Sequence, residues 1–249
     1  MMGATVLRLP TGITACLFDL DGVLTQTAAI HAQAWKETFD DYLSRRAQAT
    51  GEAVVPFDPV EDYARYVDGK PRLDGVRDFL ASRGIRLPEG HPSDDHHAET
   101  ITGIGNRKND RVLDLIRTQG VTVYPGSRRF LDAVVAAGIR RAVVSSSANA
   151  ALILDVTGID ADIEVLVDGS LARELGLPGK PAPDTFLEAA RRLGVSPSQA
   201  VVIEDALSGV AAGRAGGFGH VIAVDRLDQA EALRAQGADI VVNDLEELL

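Results

Sequence analysis

The sequence holds a single cysteine, Cys16, in 249 residues. No internal disulfide can form, which excludes a small secreted fold built on disulfide staples. A chain of this length, one to two domains by size, buries a core without such staples. Aromatic residues are scarce as well, at 5% of the chain, with one tryptophan, Trp35, and seven phenylalanines. Missing too is any run near the roughly 18 to 20 apolar residues of a membrane span. The longest uncharged stretches, such as 142–154, carry serines and an asparagine. The first residues do not read as a charged region followed by an apolar one, as a signal peptide would. Ile13-Thr14-Ala15-Cys16 resembles a lipoprotein box without a leader, and a cysteine in a buried strand is the plainer reading. There is no excess of positive charge: 36 acidic against 25 basic residues give a net charge of −11. Such a surface repels nucleic acid and anionic membrane, so neither is expected as a partner. A cytoplasmic, monomeric protein is expected. Lysine is rare beside arginine, only Lys36, Lys70, Lys108 and Lys180 against 21 arginines. A compact ammonium does what a guanidinium cannot, so each lysine is a candidate for a specific task, although drift in composition explains Lys36 equally well.

What is present is a rhythm. Residues 13–18 form a short apolar run that ends in Asp19, as a buried parallel strand does. From Tyr124 onward, short apolar strands at 141–145, 163–167, 200–203, 220–224 and 239–242 alternate with helical patterns. This predicts an α/β fold, a doubly wound parallel (Rossmann-like) sheet. Residues 25–120 show no strand pattern. Helices are predicted at 27–46, 73–82 and 106–118, with 87–95 as loop. The organisation expected is a core of residues 1–24 plus 121–249 with an inserted all-helical cap domain at 25–120.

In open α/β sheets, ligands bind beyond the carboxyl ends of the strands. Strand one delivers Asp19-Leu20-Asp21-Gly22 there, the second Ser145-Ser146-Ser147, and a later one Glu204-Asp205, while Lys180-Pro181 stands just before a helix. Four acids converging without a cation would repel one another, and some would stay protonated. Oxygen ligands of this kind suit Mg²⁺. Lys180 and Ser145 are then placed to neutralise and hydrogen-bond phosphate oxygens. Of Asp19 and Asp21, one can attack phosphorus and the other move a proton, which splits a hard displacement into two easier ones.

Taken in order, Asp19-Leu20-Asp21-Gly22-Val23, Ser145, Lys180-Pro181 and Glu204-Asp205 resemble the four signature motifs of the haloacid dehalogenase-like phosphotransferases. The resemblance implies Asp19 as nucleophile and Asp21 as general acid/base. It also implies that Asp19, the Asp21 carbonyl, Glu204 and Asp205 bind Mg²⁺, and that the helical insertion is a cap. Within the insertion, Thr25-Gln26-Thr27 to His31 and Trp35, Gly69-Lys70-Pro71-Arg72 and Arg107-Lys108-Asn109-Asp110, together with Ser145 to Asn149, resemble the β-phosphoglucomutase-like subfamily. That implies interconversion of β-D-glucose 1-phosphate and glucose 6-phosphate through glucose 1,6-bisphosphate, with a small phosphorylated sugar as the partner molecule. By the same resemblance His31 links the first cap helix to Asp21, and Arg72 binds the phosphate that is not being transferred. Lys108, Ser147 and Asn149 meet the sugar or its phosphate, with Trp35, Gly69 and Ser146 beside them.

Plainer readings stand next to these. Ser147 and Asn149 are also typical helix caps. His31 could be a packed helix residue, and Arg72, Lys108 and Lys180 surface cations. His91, His96 and His97, with Asp94 and Asp95, suggest a transition metal but read better as a solvated loop. Gln26 stands where the subfamily has an acid, and 43–66 and 86–104 are longer than its compact cap. The alternative activity is therefore a phosphatase acting on a sugar phosphate or another small ester on the same core. Dehalogenation is disfavoured, since halide departure needs no acid such as Asp21.

Overall fold

The computed structural model describes residues 7–51 and 53–249. They divide into two compact units, one running to Gln26 and resuming over Val121–Leu249, the other Thr27–Gly120.

In the first unit the strands are β1 (Ala15–Phe18), β2 (Arg140–Val144), β3 (Val165–Val167), β4 (Ala200–Glu204), β5 (His220–Val224) and β6 (Ile240–Val242). They form one parallel sheet in the order β3-β2-β1-β4-β5-β6. This is the doubly wound class that the alternating rhythm predicts. The order reverses at β1, so the crevice for a ligand opens at the carboxyl ends of β1, β2 and β4. β1 is buried along its whole length, because both of its faces are covered. Ala15 and Leu17 pack with Phe186, Ala189 and Leu193 of α7 (Asp184–Leu193). Phe18 meets the edge of Phe130 on α4 (Pro125–Ala136), with ring centroids 6.2 Å apart. α5 (Ala150–Thr157), α6 (Gly169–Glu174), α8 (Leu207–Ala215) and α9 (Ala230–Gln236) complete the unit.

The second unit is helical throughout its regular structure: α1 (Thr27–Thr50), a π-helical turn (Tyr63–Val67), α2 (Arg72–Ser82) and α3 (Ile101–Gln119). α1 runs past the predicted end near Arg46, since nothing before Gly51 breaks it. α3 starts five residues before the predicted Asn106. Thr100 caps it by accepting from the Gly103 N–H at 2.9 Å, and glycines in the first turn had masked the pattern. The scarce aromatics concentrate here. Phe39 stacks on Trp35 at 4.9 Å between centroids, and lies 4.1 Å from Phe79 and 5.3 Å from Phe57. Lys36 anchors the returning chain, donating to Asp40 at 2.7 Å and to the Phe57 carbonyl at 3.2 Å. The segment before α3 is irregular but tied down. Asn106 donates to the Asp94 carbonyl at 2.9 Å and Arg107 to that of His96 at 2.6 Å. Among the described residues, no helix is long and apolar enough to cross a membrane.

Phe39 is fully buried and touches three other rings. Phe39→Ala is expected to cost about 3–5 kcal/mol. Trp35, the one tryptophan, sits in the same cluster, so its fluorescence during urea unfolding reads the loss directly. An unchanged midpoint would contradict this packing.

Candidate active site

Three strand ends and one loop build the acidic site of the sheet unit. β1 ends in Asp19, whose N–H donates to the Ile203 carbonyl of β4 at 2.8 Å and so fixes its register. β4 ends in Glu204, fully buried, followed by Asp205. Lys180 enters ahead of α7 and is also buried. Its ammonium donates to Asp19 Oδ1 at 2.5 Å, Glu204 Oε1 at 2.5 Å and the Val144 carbonyl at 3.1 Å. The Phe186 ring lies under it, 4.9 Å away. The second Glu204 oxygen accepts the N–H groups of Asp205 and Ala206, both at 3.1 Å.

Past Leu20 the chain turns sharply. Gly22 has φ +89°, and its N–H donates to the Thr25 carbonyl at 2.8 Å. A Cβ at Gly22 would overlap the Asp205 carboxylate, so only glycine lets these two strand-end loops close together. The turn separates the two aspartates. Asp19 faces Lys180, whereas Asp21 Oδ2 accepts from Ser145 Oγ at 3.2 Å. Ser145 Oγ in turn accepts the Ser147 N–H, and Ser147 Oγ the Asn149 N–H, each at 3.1 Å. Ser146 continues the same loop after β2.

The electrostatics call for a cation. Burial pushes the Asp19 carboxyl well above its usual range, Lys180 opposes this, and Glu204 and Asp21 push it higher. Burial works against the Lys180 charge, but Asp19 and Glu204 outweigh it and hold its pKa above the usual lysine value. Asp19, Glu204 and Asp205 bring ligand oxygens within 4.8 Å of one another, all from buried residues. This donor set fits a hard, oxygen-loving cation.

The helical unit gathers its own candidates. Lys108 is buried on α3, its Nζ 2.7 Å from His31 Nδ1 and 4.7 Å from the Trp35 ring centre. His31 and Trp35 lie one turn apart on α1 and share a face. Arg72 opens α2 just after Gly69, and its Nε lies 3.5 Å from where a Cβ on Gly105 would stand. Gly105 and Lys108 are three residues apart on α3, so Arg72 and Lys108 approach one face of that helix. Asp95, His96 and His97 are exposed, as a solvated loop would be, although their ligand atoms lie within 4.8 Å of one another.

Two residues at the end of β5 had no place in the sequence reading. Arg226 donates to the Gly22 carbonyl at 2.8 Å, and Gln229 to that of Asp205 at 3.5 Å. The strand-end rule that found the other residues was the available signal.

Comparison with known proteins agrees with this geometry. Residues 13–217 match the model of the haloacid dehalogenase-like hydrolases. The chain is 58% identical over 247 residues to a β-phosphoglucomutase of Mycobacterium bovis, covering 98% of this chain and 94% of that one. Among solved structures, a β-phosphoglucomutase from Clostridium difficile aligns with a TM-score of 0.74 at 24% identity, over 95% of this chain and 93% of that one. CbbY of Rhodobacter sphaeroides, in complex with xylulose 1,5-bisphosphate, aligns with a TM-score of 0.71 at 25% identity, over 95% and 96%. With its four motifs at three strand ends and the loop before α7, and this likeness along almost its full length, the chain belongs to the haloacid dehalogenase-like hydrolase family, in its β-phosphoglucomutase-like subfamily.

Proposed function

We propose that this enzyme interconverts β-D-glucose 1-phosphate and glucose 6-phosphate through glucose 1,6-bisphosphate, carrying the phosphoryl group on Asp19. The observation that carries the reading is the Asp19–Lys180–Glu204 triad, with Asp21 held apart on Ser145. Asp19 is the nucleophile. Its carboxylate oxygen bonds to phosphorus as the bond from phosphorus to the sugar oxygen breaks. Asp21 gives a proton to that leaving oxygen, and in the reverse half-reaction takes one from the attacking hydroxyl. Ser145 fixes the Asp21 carboxylate for this task. In the forward direction the 6-hydroxyl of β-glucose 1-phosphate takes the phosphoryl group from Asp19. The bisphosphate then presents its 1-phosphate to Asp19 and leaves as glucose 6-phosphate.

Mg²⁺ is the cation this reading assigns, held by Asp19, Glu204, Asp205 and the Asp21 carbonyl, where it would neutralise charge on the transferring group. Lys180 adds a second positive charge beside it. A bisphosphate carries a further phosphate, which needs cations beyond these. Arg72 is suited by its fork and Lys108 by its buried ammonium, and both belong to the helical unit. In this reading the sheet unit is the catalytic core and the helical unit its cap. By the subfamily resemblance, His31, Trp35, Gly69, Ser146, Ser147 and Asn149 are assigned to substrate binding. A cytoplasmic setting goes with this reading.

The direct test follows β-glucose 1-phosphate with Mg²⁺ and a trace of glucose 1,6-bisphosphate, reading glucose 6-phosphate and free phosphate in one tube. Glucose 6-phosphate with little free phosphate is expected. Phosphate release without isomerisation would make the enzyme a phosphatase instead. Chelation with EDTA should stop turnover, and added Mg²⁺ restore it. Asp19→Asn should abolish both turnover and aspartyl phosphate, so an active variant would refute the nucleophile. Arg72→Ala removes a charged hydrogen bond worth about 1.5–3 kcal/mol, on the order of 10- to 100-fold in mutase flux. Hydrolysis of a small aryl phosphate should fall far less, and equal losses would argue against the assigned phosphate contact.

A further inference from the structure

The loop after β5 carries none of the four motifs, yet it reaches the centre of the site. Asp225 shapes it by accepting the Leu227 N–H at 3.2 Å and the Gln229 N–H at 2.9 Å through one carboxylate oxygen. Between them Asp228 adopts φ +54°, the one positive-φ residue other than glycine among the described residues. Strain of that kind persists only where its surroundings over-determine it. The loop is thus a built feature, and Arg226 is what it presents.

Arg226 makes three contacts within the sheet unit. Its Nε donates to the Gly22 carbonyl at 2.8 Å, and its Nη1 to the Asn243 carbonyl at 3.0 Å. Its guanidinium carbon lies over the Tyr124 ring, 3.7 Å from the centroid. The remaining nitrogen, Nη2, is buried without a hydrogen-bond partner among the described residues.

Gly22 is the pivot between the Asp21 acid/base and the rest of the chain. Its N–H is held by the Thr25 carbonyl and its C=O by Arg226. In a trans peptide the Asp21 carbonyl points opposite to the Gly22 N–H, so holding that N–H aims the Asp21 carbonyl, and holding the Gly22 carbonyl fixes the peptide that follows. Gln229 holds the Asp205 carbonyl from the same loop. The two anchors therefore set the β1-end turn against the β4-end turn, the approach for which Gly22 has no side chain.

We infer that Arg226 is a positioning residue for phosphoryl transfer: it acts through the Gly22 carbonyl to hold the Asp21 turn in register with Asp205. The inference rests on the reading of Asp21 as acid/base. Arg226→Ala should lower kcat on the order of 10- to 100-fold, as loss of an outer contact or a displacement of about 1 Å does. KM for β-glucose 1-phosphate should change little, and the melting temperature by only a few degrees. Guanidinium ion added to Arg226→Ala should restore part of the lost kcat and leave the parent enzyme unaffected. Arg226→Lys should behave like the alanine variant, because lysine lacks the planar fork whose separate nitrogens reach the Gly22 and Asn243 carbonyls.

A variant that keeps its kcat within about twofold, well short of the tenfold step that about 1.4 kcal/mol brings, overturns the inference. So does a loss that tracks the melting temperature and does not respond to guanidinium, since that is a structural role. Should the parent enzyme release phosphate without isomerising the sugar, the mutase reading fails, but the same comparison on phosphate release still decides the role of Arg226.

Discussion

Lys180 places a full positive charge where almost no water reaches, and much of the sheet unit is arranged around that fact. A buried ammonium is tolerable only when acceptors surround it. Here they come from three strands: Asp19 at the end of β1, the Val144 carbonyl of β2 and Glu204 at the end of β4. The lysine thus clamps the centre of the sheet at the carboxyl ends of its strands. Phe186, beneath the ammonium, belongs to the apolar cluster that packs α7 on the sheet. Site and core are therefore continuous. The alkyl stem and ring belong to the hydrophobic interior, and the charge at the end of the stem belongs to the acidic cluster.

Glu204 shows how this constraint distributes roles. One of its oxygens faces Lys180, and the other accepts two backbone N–H groups. It organises the loop that follows as much as it offers an acidic oxygen. The Asp205 carboxylate stands across Gly22. Acids that look equivalent in sequence are made different by what each already holds.

The parts legible in the sequence were those with a local signature. Apolar runs ending in acids marked β1 and β4, and the proline after Lys180 marked its loop. Lys108 and Lys180 stood out against a background of arginine, and both prove to be buried. Lys36, which drift in composition also explains, donates to the Phe57 carbonyl. Arg226 was hidden for the opposite reason, as one arginine among 21. Its meaning lies in contacts with Gly22 and Tyr124, far away along the chain. The irregular stretch before α3 read as solvated loop because its order comes from Asn106 and Arg107 reaching back to its carbonyls. Bonds from a side chain to distant backbone leave no periodicity to read.

One detail of the chain path bears on how such a protein arises. The segments that leave and re-enter the sheet unit are hydrogen-bonded to each other: Tyr124 N–H to the Leu24 carbonyl, Gln26 N–H to that of Thr122, with an antiparallel bridge between Thr25 and Val123. To the sheet, everything between Thr27 and Gly120 is a loop whose ends already meet. The entropy of closing a loop grows only slowly with its length. A whole helical unit can therefore be lengthened, exchanged or remodelled in evolution with little disturbance to the crossover from β1 to β2. The acidic cluster at the strand ends can stay fixed while the inserted unit is free to diversify.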